Sequence, residues 1–259
     1  MTAGPEGAGS HRAHPAAGAR VLVVVAGPNG AGKTTFVETF LASIGLRVVN
    51  PDQLARALAP DAPETVAYEA ARVADTVRRD LVARGVSFCM ETVFSDPEDA
   101  EVDFLRDART KGYVVFLVFI GLETPELSLG RVIQRVESGG HDVPDETLIA
   151  RFPRTVENLR KAIAFVDHVF LFDNSSAEAP YRFVAEFGAG RLLRSGKCRP
   201  AWASTFLPSR RIGPGGGPAT NLSTDFVPRT AGAHAILASW HRPIAGAPAS
   251  HPPRPTRGA

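Results

Sequence analysis

The sequence predicts an α/β protein of three layers, α/β/α, with a mainly parallel sheet of about five to six strands and a helical lid. Three observations predict it. The runs "RVLVVVAG" (20–27) and "YVVFLVFI" (113–120) are continuously apolar rather than alternating, as strands buried on both faces require. Such runs alternate along the chain with segments of helical spacing, the pattern of a parallel sheet covered on both sides. Between the first strand and the first helix lies "GPNGAGKT" (27–34), which reads G-x-x-x-x-G-K-T and makes the fold a P-loop NTPase.

Taken in order, strand one is 20–27. From Lys33 to Ile44, the residues Phe36, Val37, Phe40, Leu41 and Ile44 recur at helical spacing, and Gly45 is the stop. "LRVVN" (46–50) is the second strand. Residues 51–58 form a short helix, with Asn50 as its N-cap and Pro51 at the first helical position. A long helix over 64–84 ends at Gly85, and "VSFCME" (86–91) is the third strand. A helix from about Pro97 to Lys111 leads to the fourth strand, 113–120. Two helices follow, about 125–138 and 145–165, and the lid spans about 125–160. His141 reads as a loop or hinge residue at their joint. Asp142 and Asp145 read as caps of the second helix, with Pro144 leading in. "HVFLFD" (168–173) is the fifth strand, and 181–187 with 190–195 form a terminal hairpin or edge strands.

Composition bounds the rest. The chain has 259 residues, 44% hydrophobic and 22% charged, which suits one folded domain of ordinary size. Residues 1–19 and 206–259 are dominated by Gly, Ala, Pro, Ser and Arg with no sustained apolar period. Neither segment can bury enough surface to offset its ordering entropy, so both are expected as disordered tails around a domain over 20–205. Residues 191–259 carry ten Lys or Arg against one acid, Asp225. With a net charge of +2 overall, residues 1–190 carry about −7. An acidic core argues against a specific nucleic-acid partner, and no aromatic residues interleave with the basic tail as a single-strand platform needs. Cys89 and Cys198 have no metal spacing and make no disulfide framework. "VLVVVAG" is too short for a membrane span, and a cytoplasmic location is expected.

The chemistry starts at the P-loop: Gly27, Pro28, Asn29, Gly30, Ala31, Gly32, Lys33, Thr34 and the following Thr35. Glycines let backbone N–H groups approach phosphate oxygens, and the helix that begins there adds its positive dipole end. Lys33 can reach the β- and γ-phosphates, and the Thr34 hydroxyl can ligate Mg²⁺. The expected cofactors are ATP and Mg²⁺. Two uses of the nucleotide compete: a small-molecule kinase, or an ATPase acting on a protein partner. "LSLGR" (127–131) is not a transporter signature loop, the third strand ends "FCME" without an Asp before Glu91, and no N-K-x-D motif is present. These features favour the kinase.

Ligands of parallel α/β sheets lie beyond the carboxyl ends of the strands. Past those ends come Asn50-Pro51-Asp52, then Glu91 and Thr92, then helices carrying Arg131, Arg135, Arg151 and Arg154, and last Asp173, Asn174 and Ser175. Asp52 either complements the dipole of its helix or acts on a substrate. Glu91 closes an apolar strand, where a charge is costly without a partner or a task. Arg131 and Arg135, four apart, share a helix face that is either solvated or functional.

With these residues assembled, the core resembles the zeta-toxin family of P-loop kinases over about residues 20–203. The likeness rests on "GPNGAGKTT", "VNPDQLA", "METVFS", "GRVIQRVESGGHDVPDETLIARFPRTVENL", "FDNS" and the closing "PAWA". "GGHDVP" is closer to the chromosomal relatives than to the plasmid toxins. The resemblance implies ATP-dependent phosphorylation of a sugar hydroxyl, typically the 3′-hydroxyl of UDP-N-acetylglucosamine. It implies Asp52 as the base, Glu91 and Thr92 on the acceptor or Mg²⁺ side, and two lid arginines on the transferring phosphoryl group. Arg135 and Arg151 are the expected pair and Arg154 the next, with Arg131 on the substrate. It also implies that any antitoxin is a separate protein.

Overall fold

The computed structural model describes residues 20–137 and 144–208. Its centre is a seven-stranded sheet in the order β2-β3-β1-β4-β5-β6-β7. The strands are β1 (Arg20–Ala26), β2 (Arg47–Val49), β3 (Phe88–Thr92), β4 (Tyr113–Gly121), β5 (His168–Asp173), β6 (Arg182–Gly188) and β7 (Arg191–Ser195). The first five run parallel and the last two are antiparallel. The expected five to six strands thus become seven, because the last two segments form a hairpin that also joins the sheet. Its turn uses Ala189 and Gly190 at φ 46° and 80°, the left-handed pair that a tight two-residue connection needs.

The continuous apolar run of β1 serves both faces. Leu22, Val24 and Ala26 point into one buried cluster, and Val21, Val23 and Val25 into the other. Helices α3 (Ala67–Ala83), α4 (Ala100–Thr110) and the end of α6 (Asp145–Ile163) cover the first face, and α1 (Lys33–Phe36) covers the second. The expected helix over 33–44 is helical throughout but not uniform: α1 passes into a π turn, Val37–Leu41, and a 3-10 turn, Ala42–Ile44. Among the described residues no helix is long and apolar enough to cross a membrane.

Two caps differ from expectation. Helix α4 begins at Ala100 rather than near Pro97, because the Asp96 side chain accepts the Glu98 and Ala100 amides at 2.9 and 3.0 Å and winds the preceding residues into a turn. Helix α6 begins after Pro144, and Asp145 is its first residue and not its cap. An acid there complements the helix dipole without a capping hydrogen bond. His141 and Asp142 lie outside the described residues. Helix α5 (Pro125–Glu137) packs on α6 through a separate small cluster of Val132 and Leu148 with Leu129 and Val136. The α5–α6 pair therefore has its own apolar contact, apart from the two clusters that flank the sheet.

Candidate active site

The P-loop is shaped by what surrounds it. Gly27 has φ 147°, and a Cβ there would meet the Ile120 carbonyl oxygen at 2.1 Å, so only glycine fits against β4. Gly32 has φ 84°, and a Cβ would come within 2.8 Å of both Asn174 Nδ2 and the Tyr181 hydroxyl. Those two side chains hold the loop from outside: Asn174 Nδ2 donates to the Ala31 carbonyl at 2.9 Å, and the Tyr181 hydroxyl donates to the Gly32 carbonyl at 2.9 Å. Ser128 of α5 donates to the Asn29 carbonyl at 2.7 Å. The loop's carbonyls are thereby engaged on the protein side, which leaves its amides for an anion.

Lys33 Nζ donates to the carbonyls of Gly27 and Pro28 at 2.9 and 3.0 Å. Burial pulls its pKa down to about 8, while Glu91 and Asp52 oppose the shift and Arg135 adds to it. These four side chains therefore sense one another across one site. The cradle fits a polyphosphate such as that of ATP: a loop with glycines at positive φ, a helix start and a part-buried ammonium.

The metal side is equally defined. The Thr34 hydroxyl donates to Glu91 Oε2 at 2.9 Å, and Glu91, 3% exposed, has its other oxygen buried without a hydrogen bond in this structure. Burial raises the Glu91 pKa, and the Thr34 bond and the Lys33 charge partly offset that. A hydroxyl and a carboxylate beside a phosphate cradle fit Mg²⁺, which takes few protein oxygens and completes its shell with phosphate and water. Among the described residues no group of three or more His, Cys, Asp or Glu forms a metal cluster, so phosphate oxygens and water would have to complete the shell. Thr34 and Glu91 are the residues that would hold it.

Asp52 stands where its sequence context puts it. Asn50 caps α2 (Pro51–Leu58) by accepting the Asp52 and Gln53 amides at 2.8 and 3.3 Å, which fixes Asp52 in the first turn of the helix, next to the end of β2. One cavity of about 1170 Å³ is lined by Asn29, Gly30, Gly32, Lys33, Thr34 and Thr35 together with Asp52, Glu91 and Thr92. Arg131, Arg135, Arg151 and Arg154 line it from α5 and α6. Of the other P-loop residues, Gly27, Pro28 and Ala31 do not line it. Arg131 lies against the P-loop, its guanidinium 3.4 Å from the Gly30 carbonyl. Arg151 is held below its ordinary pKa by burial and by neighbouring Arg154, while Asp52 and Glu101 act the other way.

Two of the strand-end residues have structural partners. Thr92 is tied to Glu101 by a hydrogen bond and in turn accepts the Phe94 amide at 2.9 Å, so its hydroxyl organises the chain after β3. Asp173 is fully buried and does not line the cavity. It accepts hydrogen bonds from Ser175, Arg182 and Trp202. Its position past strand five suggested a ligand role; its partners make it structural. Sequence reasoning missed Arg78 and Glu101. Arg78, 8% exposed, donates to the Glu91 carbonyl at 3.0 Å, and burial raises the Glu101 carboxyl. A charged residue on the inward face of its helix was the available signal. Burial pushes the Cys89 thiol up to about 12, which leaves it inert.

The family model described as Zeta toxin matches residues 8–182, ending short of Trp202. A protein of Haemophilus influenzae, described only as uncharacterised, is 28% identical over 126 residues, 49% of this chain and 88% of its own. The solved structure from the PezAT chromosomal toxin–antitoxin system of Streptococcus pneumoniae superposes with a TM-score of 0.50 at 19% identity, over 65% of this chain and 72% of that one. The AvrRxo1-ORF1:AvrRxo1-ORF2 complex with sulphate ions gives 0.54 at 21% identity, over 73% of this chain and 62% of that one. At these identities the two structures establish the shared P-loop fold.

Proposed function

The chain belongs to the zeta toxin family, and from that premise we propose that it is an ATP-dependent small-molecule kinase that phosphorylates a sugar hydroxyl, the 3′-hydroxyl of UDP-N-acetylglucosamine. The observation that carries the reading is the single cavity in which a P-loop, an acid at a strand end and four arginines face one another. A kinase needs a group to receive the acceptor's proton and room for an acceptor beside the phosphates, and Asp52 lining the same cavity as the P-loop supplies the first.

In this reading ATP lies with its phosphates on the Gly27–Thr34 loop. Mg²⁺, held by Thr34 and Glu91, would neutralise charge on the β- and γ-phosphates. Asp52 orients the acceptor hydroxyl and takes its proton as the oxygen bonds to the γ-phosphorus and the bond to the β-phosphate oxygen breaks, leaving ADP. Lys33, Arg135 and Arg151 stabilise the charge on the transferring group, with Arg154 beside them, and closing α5–α6 excludes water. A neutralising partner would be a separate protein, as the family's toxin–antitoxin organisation implies.

The test is direct. Purified protein with Mg-ATP and UDP-N-acetylglucosamine should yield ADP and a phosphorylated nucleotide sugar. Asp52→Asn should lower turnover by about two to four orders of magnitude with ATP binding retained, the range of a positioned base. No phosphorylated product from any nucleotide sugar, with hydrolysis that depends on an added protein, would replace this reading with the ATPase.

A further inference from the structure

The buried stripe of α3 runs Ala70, Ala74, Arg78 at a spacing of four, with Leu81 and Val82 beyond. Arg78 stands where that pattern calls for an apolar residue, and a buried charge is costly unless it is hydrogen-bonded. Its hydrogen bond goes to the Glu91 carbonyl, at 3.0 Å. Among the described residues its guanidinium makes no ion pair, and its Nε is buried without a hydrogen bond. Glu101 and Asp75 are the charges that favour it from nearby, and Asp75 is itself paired with Arg79 at 2.8 Å.

The sheet leaves that carbonyl in need of a partner. β2 pairs with β3 from Arg47↔Phe88 to Val49↔Met90, whereas β1 pairs with it on to Val25↔Glu91 and Ala26↔Thr92. After Val49 the chain turns at Asn50 into α2, so Glu91 has a strand on one side only. The Arg78 guanidinium takes up its carbonyl one residue past the end of the β2–β3 ladder. The carboxylate of the same residue accepts from Thr34 at 2.9 Å, and its other oxygen is buried without a hydrogen bond. An arginine bonded to that carboxylate would compete with a metal ion for its oxygens. Bonded to the carbonyl, it fixes where the carboxylate stands and leaves the oxygens to the hydroxyl and the ion. Groups that orient a metal's ligands without touching the metal contribute about 10- to 100-fold to its affinity.

We propose that Arg78 is a positioning residue for the metal side of the site: its guanidinium, bonded to the Glu91 carbonyl, sets the Glu91 carboxylate beside Thr34 and so strengthens the binding of nucleotide with Mg²⁺. This rests on the reading that Thr34 and Glu91 hold Mg²⁺.

The experiment reads binding and not turnover. The full chain is titrated calorimetrically with a non-hydrolysable ATP analogue, once with saturating Mg²⁺ and once with a chelator, at a temperature where circular dichroism shows each variant folded. Wild type should bind the analogue more tightly with Mg²⁺, and the ratio of the two affinities measures what the metal side contributes. Arg78→Met fills similar space without a donor. It should lower that ratio about tenfold, the lower end for such supporting contacts, and leave the affinity without Mg²⁺ unchanged. A merely structural loss would lower both affinities alike. Arg78→Lys keeps a donor and should recover part of the ratio. Glu91→Gln should lower the ratio as well, and adding Arg78→Met to it should lower it no further, because both act through one carboxylate. An unchanged ratio in Arg78→Met, equal losses with and without Mg²⁺, or a further fall in the double variant would overturn the assignment. If Arg78→Met does not fold, Arg78→Lys decides: a ratio below that of wild type supports the role, and an unchanged one overturns it. The two readings fail separately. A ratio that falls in Glu91→Gln but not in Arg78→Met keeps Glu91 on the metal and removes Arg78. A ratio that is absent from wild type or intact in Glu91→Gln removes Glu91 from the metal, and Arg78 with it.

Discussion

Burial takes Lys33 far from the behaviour of a free lysine. Its ammonium is partly withdrawn from water, and that desolvation lowers its pKa to about 8 despite the nearby Glu91 and Asp52 carboxylates. In the ligand-free protein, Lys33 is charged below pH 8 and loses its charge above it. An ATP polyphosphate would favour the charged form and raise that pKa again, so proton and nucleotide binding would be linked. ATP affinity is then highest below about pH 8. It should fall by up to about tenfold per pH unit above it, until the pKa of the complex is reached. Titration of ATP between pH 7 and 9.5 checks this, and an affinity flat across that range would show that Lys33 keeps its proton without help. On the acid side Glu91 works the opposite way. Its raised pKa means that the carboxylate next to Thr34 is protonated at a higher pH than an ordinary glutamate.

The P-loop as an element was legible because its constraints are local. Glycines at fixed spacing answer to positive φ and to the Ile120 carbonyl 2.1 Å from any Cβ at Gly27, and both are properties of the loop itself. The Asn50 cap was legible for the same reason, its bonds reaching two and three residues. The clamp around the loop was not. Asn174 and Tyr181 act on it from 143 and 149 residues away through hydrogen bonds to backbone carbonyls, and a carbonyl acceptor leaves no mark on the residue that offers it. Nor did anything local show that Asp173 turns inward to Arg182 and Trp202 while Asn174, next to it, turns to the P-loop. The clamp makes a prediction. Tyr181→Phe keeps the ring against Phe36 and Phe40 and removes only the hydroxyl bond. It should cost about 1 kcal/mol, while Asn174→Ala, which loses bonds to both Ala31 and Tyr181, should cost more. Both losses should appear as weaker ATP binding, about three- to tenfold, with UDP-sugar affinity unchanged. Equal losses for both ligands would mean that the clamp supports the whole domain and not the loop.

For the molecule as a whole, the sheet must present its strand ends to the ligand side while its two faces stay covered, and the last described residues complete the cover. After β7 the chain returns across the sheet, where the Ala201 amide donates to Glu123 at 2.9 Å and Trp202 settles on Phe119, ring centroids 5.3 Å apart. Gly121 makes room for it: a Cβ there would lie 2.3 Å from the indole. The indole N–H reaches Asp173 at 3.2 Å, and the same carboxylate takes the Arg182 guanidinium at 2.6 Å and the Ser175 hydroxyl at 2.7 Å. One buried acid thus joins β5, β6 and the closing segment, directly beside the residue that braces the P-loop. Trp202→Ala would open a large void and leave Asp173 one donor short, so it should lower stability by about 3–5 kcal/mol in urea unfolding. Gly121→Ala should displace the indole and destabilise by a comparable route, a Cβ at that distance being impossible without movement. If the closing segment only covers the sheet, both variants should retain wild-type ATP affinity at a temperature where they are folded. If it also braces the P-loop through Asp173 and Asn174, ATP affinity should fall in both, and the same titration that tests Tyr181→Phe distinguishes the two. The bond from Asn174 to the Ala31 carbonyl leads us to expect the second result, with a loss smaller than that of Asn174→Ala because the brace is weakened there and not removed.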